Sequence, residues 1–262
     1  MTEVAKSATR RSVLARGTAL VGSMLLAGCD KVINSDAAQA TFEKIDQWTR
    51  STQEALLAPQ QLAPEYSEAD ISAHFYANGS TDPDDDAYKA MATDGFKAFK
   101  LVVDGLVEKP LELDLAALRS LPARTQITRH DCVEGWSCIG KWTGTPLGVV
   151  LDQAGVKVDA RYIVFHCFDA MDDGALTGPT PFYGSIDLQA AYHPQTILAY
   201  AMNDKALEVQ YGAPLRLRVE RQLGYKMTKY IKRIELVDNL AGIGGGKGGY
   251  WEDNGYQWYA GI

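Results

Sequence analysis

From Phe96 onward the apolar residues fall into short runs of strand length, separated by glycine, proline and acidic turn residues. Phe99–Val107 reads as a strand closing on an Asp104-Gly105 turn, and Thr125–Thr128, Arg161–Cys167, Thr196–Met202, Leu215–Val219 and Lys229–Val237 read as further strands. Only two stretches between them carry helical spacing. Leu113–Leu121 has Asp114 as a cap and Pro122 as a stop, and Leu147–Ala154 starts at Pro146 with Gly155 as its stop. Many strands with few, short helices predict an α+β fold built on a mixed sheet. No period of 20–50 residues repeats, which argues against solenoids and propellers.

The 262-residue chain is 46% hydrophobic and 23% charged, the composition of a globular protein with a sizeable core. Its 26 Lys+Arg against 33 Asp+Glu leave a net charge of −7, the wrong sign for a general nucleic-acid binder. Four cysteines are too few for a disulfide scaffold at this length.

Residues 1–40 read as an address. Lys6, Arg10 and Arg11 precede an apolar run from Val13 to Ala27, interrupted by Arg16 and too short for a transmembrane helix. Thr9-Arg10-Arg11-Ser12-Val13-Leu14 resembles a twin-arginine export signal, and Leu26-Ala27-Gly28-Cys29 a lipobox with Cys29 as the lipidated residue. A plain signal cut after Ala38-Gln39-Ala40 is the alternative. Residues 41–90 are expected to form a helical lead and an acidic linker, with Phe42, Ile45 and Trp48 at helical spacing over 40–58. The acidic stretch 78–88 reads as a solvated loop rather than a calcium site, because it lacks alternating ligands and a distal glutamate. The main domain is expected over 91–262. It contains no GxGxxG after a strand, no P-loop and no GxSxG elbow, and Gly242–Gly249 reads as a flexible loop leading to an aromatic C-terminus.

The chemistry is concentrated at Arg129-His-Asp-Cys132-Val-Glu-Gly-Trp-Ser137. Cys132 follows a strand and precedes a Gly-Trp pair, which places it on a loop. Arg129 and a protonated His130 would favour its thiolate, whereas Asp131 and Glu134 would oppose it. The residues themselves leave four other readings open: a half-buried structural cysteine, a disulfide to Cys138, a zinc site with Cys138, His166 and Cys167, and a Cys–His hydrolase using His166 or His193. Trp136, Trp142, Trp251, Tyr256, Trp258 and Tyr259 are candidates for an aromatic pocket or for the core.

Arg129-x-x-Cys132-Val-Glu-Gly-Trp-Ser137 followed by Lys141-Trp-Thr-Gly-Thr-Pro-Leu147 resembles the molybdenum-cofactor domain of the sulfite oxidase family. Within it, the closest likeness is to the bacterial branch that holds the catalytic subunit of periplasmic methionine-sulfoxide reductase. Lys205-Ala-Leu, Tyr211-Gly-Ala-Pro-Leu-Arg216 and Gly224-Tyr-Lys-Met-Thr-Lys229-Tyr-Ile match further family segments in order, from about Phe75 to the C-terminus.

The resemblance implies a sulfite-oxidase-type domain with molybdenum held by Cys132 and by the dithiolate of one molybdopterin. It places Tyr76 against the pterin and gives Arg216 and Lys229 to the cofactor's phosphate, with Met227 and Thr228 offering backbone N–H groups. Cys167 stands where that branch has threonine, and Tyr211 where it has asparagine, two departures in the expected cofactor contacts. Sulfite oxidases follow the cysteine with paired arginines. Here the next basic residue is Lys141, which points to a small-molecule or protein-bound S- or N-oxide such as methionine sulfoxide rather than sulfite. Glu134 is the expected proton carrier, with pairing to Arg129 the alternative. No C-x-x-C-H haem signature occurs, so electrons are expected from a separate partner, a haem protein of the inner membrane. A sulfite-oxidising enzyme of the same family and a metal-free exported binding lipoprotein are the other functions open to this chain.

Overall fold

The computed structural model describes residues 35–56, 60–172 and 178–262, so most of the export-signal segment lies outside the described residues. The chain divides into two compact units, residues 1–56 and 57–262. In the first, α1 (Asp36–Leu56) bears Phe42, Ile45 and Trp48 exposed to solvent. Among the described residues no helix is long and apolar enough to cross a membrane.

The second unit holds two five-stranded sheets. One runs β2 (Leu111–Leu113), β1 (Leu101–Gly105), β10 (Ile231–Val237), β5 (Tyr162–Met171), β6 (Thr180–Asp187). Its β1–β10 pair is parallel, with Val103 opposite Ile234, and its other pairs are antiparallel. The other runs β3 (Arg124–Asp131), β4 (Ser137–Pro146), β7 (Ile197–Met202), β8 (Lys205–Ala206), with β9 (Arg216–Arg218) also on β7. Short helices α2 (Asp86–Thr93), α3 (Leu115–Ser120), α4 (Leu147–Ala154), α5 (Leu188–Ala191) and α6 (Tyr250–Asp253) punctuate the strands. Val103, Phe165 and Ile234 of the first sheet and Trp142, Leu198 and Leu217 of the second meet in one buried cluster. This is the α+β mixed-sheet architecture expected from the sequence.

Local chemistry explains the boundaries. Asp114 caps α3 by accepting from the Ala117 N–H at 2.8 Å, and Gly155 ends α4 in the left-handed region at φ 69°. The stretch read as a linker is integral to the unit. Asp85 caps α2, and Tyr88 is fully buried, its ring 5.4 Å from that of Phe168 and its hydroxyl donating to the Ala213 carbonyl at 2.8 Å. A capped helix carrying one large aromatic outweighs the acidic, turn-forming composition around it.

Four strands are not marked by the sequence pattern: the short β2 and β8, and the longer β4 and β6. β4 turns Cys138, Gly140, Trp142 and Gly144 inward, and glycine leaves no apolar mark in a sequence pattern. At Gly144 the close approach of β7 demands it, since a Cβ there would lie 2.3 Å from the Leu198 carbonyl oxygen. β6 buries Gly184 and Ser185, so its inward face is likewise only partly apolar. The Gly144→Ala protein is expected to lose about 1–3 kcal/mol of stability, or more, because the clash is with backbone. The urea midpoint of equilibrium unfolding, read against the wild type, measures that loss.

Candidate active site

β3 and β4 form a hairpin in strict register from Arg124–Gly144 to Asp131–Ser137, and Cys132 is the first residue of its loop. The Cys132 N–H donates to the Trp136 carbonyl at 2.9 Å, the Gly135 N–H donates back to the Cys132 carbonyl at 3.0 Å, and Gly135 closes the loop at φ 88°. The Cys-Val-Glu-Gly-Trp spacing is thus a turn specification as well as a chemical motif.

Cys132 opens onto a cleft of about 950 Å³, counting its mouth. Buried residues form the floor: His130, Asp169, Arg216 and Met227. Exposed ones mark the mouth: Tyr76, Val133, Glu134 and Tyr256. Of the expected site residues, Tyr76, Cys132, Glu134, Arg216, Met227 and Lys229 line this cleft. Cys167, Tyr211 and Thr228 are absent from its lining. Cys167 is buried on β5, where burial pushes its thiol well above the usual range. Tyr211 packs edge-on against Phe75 and donates its hydroxyl to the Phe75 carbonyl at 3.1 Å. The Met227 N–H is spent within its own turn, donating to the Gly224 carbonyl at 3.0 Å.

The thiol's neighbours differ from those read in the sequence. Arg129 pairs with Asp131 at 2.9 Å and lines a different cleft. His130 is held neutral by burial and by the cations Arg216, Arg218 and Lys229, so it supplies no positive charge. Arg218 donates to its Nδ1 at 3.1 Å, which leaves the ring proton on Nε2. The donor that reaches the Cys132 Sγ is the side-chain amide of Asn78, at 3.3 Å. Glu134 does not pair with Arg129; its Oε2 accepts from the Trp136 indole N–H at 3.0 Å. Trp136 in turn packs on Tyr76 with ring centroids 5.4 Å apart.

Other readings of the cysteine lose their geometry. Cys132, Cys138 and Cys167 are free thiols, and Cys138 faces the core. Among the described residues no three His, Cys, Asp or Glu side chains converge on a metal position. His166 is paired with Glu235 at 2.8 Å and His193 with the Gln61 carbonyl at 3.0 Å, and neither lines the cleft. Of the candidate aromatic residues, Trp251 and Tyr256 reach the cleft, whereas Trp142 is fully buried.

The floor is built for an anionic group. Arg216 is only 5% exposed, its Nε has no hydrogen-bond partner, and it has no carboxylate partner among the described residues. Burial and the adjacent Arg218 disfavour its charge. Lys229 donates to the carbonyls of Asn78, at 2.8 Å, and of Ser80; burial and then Arg216 bring it down to about 7. The Oγ1 of buried Thr228, next to Lys229, and the Oδ1 of Asp169 also lack partners among the described residues. Unpartnered donors suit a phosphate, an unpartnered acceptor suits an amino group, and a cleft-facing thiol suits a soft metal. These residues fit a molybdopterin-bound molybdenum.

A mixed-sheet domain with a thiol over an anion-seeking cleft has the parts to hold a sulfur-ligated redox cofactor. Residues 88–241 match the oxidoreductase molybdopterin binding domain, and the chain belongs to that family: it is a molybdopterin oxidoreductase. It is 36% identical over 252 residues to the putative protein-methionine-sulfoxide reductase subunit YedZ1 of Azospira oryzae, covering 96% of this chain and 87% of that protein. To the protein-methionine-sulfoxide reductase catalytic subunit MsrP of Xanthomonas campestris it is 36% identical over 176 residues, 64% of this chain and 53% of that one. For the MsrP of Campylobacter jejuni the values are 34% over 145 residues, 53% and 49%. The match thus spans about half the length of these MsrP proteins.

Asp169 escaped the sequence reading, although a carboxylate at an inward position of an apolar strand is a visible signal. Burial raises its carboxyl from 3.8 to about 6. Above pH 6 the cofactor-free protein holds a buried charge that the unfolded chain holds in water; below pH 4 both states are neutral. Stability is therefore lost as pH rises through that window, by roughly 2–3 kcal/mol. Asp169→Asn removes this loss. Thermal melts of molybdenum-free protein are expected to show the variant's advantage over wild type growing between pH 4.5 and pH 7.

Proposed function

We propose that this chain is the catalytic part of an exported enzyme that reduces an S- or N-oxide, methionine sulfoxide foremost. The names of its relatives support this reading. The observation that carries it is the distribution of charge in the cleft. Neither cation that lines it stands at the mouth: Arg216 is buried on the floor, where it suits the cofactor's phosphate, and Lys229 donates to main-chain carbonyls. At the mouth beside Cys132 stand Val133, Glu134, Tyr76 and Tyr256. Sulfite is an anion whose desolvation needs fixed positive charge, and Glu134 would repel it; an oxide group is neutral and needs only room, an apolar wall and protons.

In this reading Cys132 holds the molybdenum, and Arg216, Lys229, Met227 and Tyr76 line the space for the pterin and its phosphate, with Thr228 in the adjoining core. When bound, the cofactor supplies two-electron oxygen-atom transfer. The overall reaction takes a sulfoxide, two electrons and two protons to a thioether and water. Asn78 orients the Cys132 Sγ through its amide. Glu134 carries a proton on the carboxyl oriented by Trp136, at the mouth where the departing oxygen must be protonated. Electrons come from a separate donor, a haem protein at the inner membrane. The enzyme works on the outer face of that membrane, reached by the twin-arginine route and held by a lipid on Cys29. Cys167 and Tyr211 act indirectly, as packing beneath the cofactor segment.

Steady-state assays with reduced viologen for oxides and ferricyanide for sulfite test the substrate reading. The kcat/KM for methionine sulfoxide is expected to exceed that for sulfite, and Cys132→Ser to lose turnover with both. A sulfite kcat/KM above that of every oxide overturns the assignment.

The address is tested separately. Replacing Arg10 and Arg11 together by Lys is expected to strand the precursor in the cytoplasm, because twin-arginine recognition needs guanidinium where general secretion needs only charge. Cys29→Ala is expected to move the protein from the membrane pellet to the soluble fraction. Cell fractionation with immunoblotting reads both.

A further inference from the structure

The family match ends at residue 241, but the cleft does not. The C-terminal strap, residues 242–262, returns across it and contributes Trp251 and Tyr256 to its lining. Their ring centroids lie 5.3 Å apart with the planes tilted by 30°, and Tyr256 meets Tyr225, also in the lining, edge-on at 5.2 Å. Tyr256 is 39% exposed and faces the mouth, away from the buried cations that fit the cofactor's phosphate.

This wall is rigidly seated. Lys226 and Glu252 form an ion pair that is almost wholly buried. Asp253 accepts from the Tyr183 hydroxyl at 2.6 Å and from the N–H groups of Gly245 and Lys247 at 2.8 and 3.0 Å. The Tyr225 hydroxyl donates to the Gln257 carbonyl at 2.7 Å, and the Leu223 N–H to that of Ala260 at 2.9 Å. So Gly242–Gly249 is a fitted turn in place of the flexible loop its composition suggests. A Cβ on Gly244 would lie 2.4 Å from the Tyr183 ring, and one on Gly248 2.5 Å from Trp258.

We propose that the strap is the specificity wall of the Cys132 cleft, with Trp251 and Tyr256 gripping the S-methyl arm of a thioether-derived S-oxide while its oxygen faces the metal position. The inference rests on the reductase reading above and names the group that reading leaves unplaced. A sulfoxide's sulfur and methyl are uncharged and polarisable, and aromatic faces hold such groups where a wall of Leu or Val would not discriminate. The rings are ordered before substrate arrives, so no side-chain freedom is lost in forming the grip.

The test uses molybdenum-loaded enzyme and N-acetyl-methionine-sulfoxide amide. Calorimetric Kd is measured on oxidised enzyme, which cannot turn over, and KM and kcat with reduced viologen. Trp251→Leu and Tyr256→Leu are expected to raise both Kd and KM about five- to tenfold and to change kcat far less. Trp251→Phe and Tyr256→Phe, which keep a ring, are expected to stay within about twofold of wild type. Equal molybdenum content across the set separates lost grip from lost fold; a Leu variant that fails to load is replaced by Ile. Wild-type reduction of the sulfoxide with Kd and KM unmoved in the Leu variants, or moved equally in the Phe variants, overturns the wall and leaves the reductase reading standing. A wild type that reduces no S-oxide overturns both.

Discussion

Two buried guanidinium groups sit against one indole. Arg216 and Arg218 alternate on β9 and stack on Trp142 of β4 at 5.1 and 4.4 Å. Arg218 is fully buried and doubly bonded to Glu220, whose Oε1 also accepts from Gln126 at 2.8 Å. A charge this deep is tolerable only when paired and hydrogen-bonded, and removing either partner would strand the other. The stack fixes the β3–β4 hairpin, and with it the Cys132 loop, relative to β9. Arg218 reaches on to His130, the thiol's neighbour, which burial first and then the cations Arg216 and Arg218 keep neutral. Arg216 shares the indole but has no carboxylate partner among the described residues. It is the group held in reserve for an anion.

The cleft is closed from two sides by segments that flank the family match. Before it, residues 76–80 bring Tyr76 and Asn78 to Cys132 and are tied down by the Lys229 ammonium and the Tyr230 hydroxyl, which both donate to the Ser80 carbonyl. After it, the strap brings Trp251 and Tyr256. Both are anchored through 222–230, the stretch that carries Lys226 and Lys229. One segment therefore sets the position of the thiol's hydrogen-bond donor, the lining cation Lys229 and the aromatic wall together.

What was legible in the sequence follows from the range of the interactions. Asp114, Gly155 and the Cys132 loop were readable because a cap, a left-handed stop and a tight turn are decided within a few residues. Arg216 and Lys229 were found through a resemblance, and Cys132 through both routes. Asn78 was hidden because its partner is 54 residues away and its surroundings are those of a solvated loop. β4 and β6 were hidden because Gly140, Gly144, Gly184 and Ser185 break up the apolar marks of their buried positions. Those residues answer to the backbone of β7 and to the strap, neighbours that no local pattern contains. The buried Ser185 hydroxyl, for instance, bonds the Gly248 carbonyl and accepts from the Trp258 indole at 2.8 Å.

The orphaned atoms at and around the floor give the site its thermodynamic logic. Arg216 Nε, Thr228 Oγ1 and Asp169 Oδ1 are buried and unpartnered in the protein alone. Each such group costs on the order of 1–3 kcal/mol relative to a hydrogen-bonded one. The chain can carry this burden because the buried charges around it are paired: Arg218 with Glu220 and Lys226 with Glu252, while Gln126 donates to the Gln195 carbonyl at 3.0 Å. A cofactor that offers a phosphate to Arg216 and an amino group to Asp169 would remove the cost at both of these cleft-lining groups at once. The same groups that destabilise the empty fold therefore become binding energy for the group that fills it.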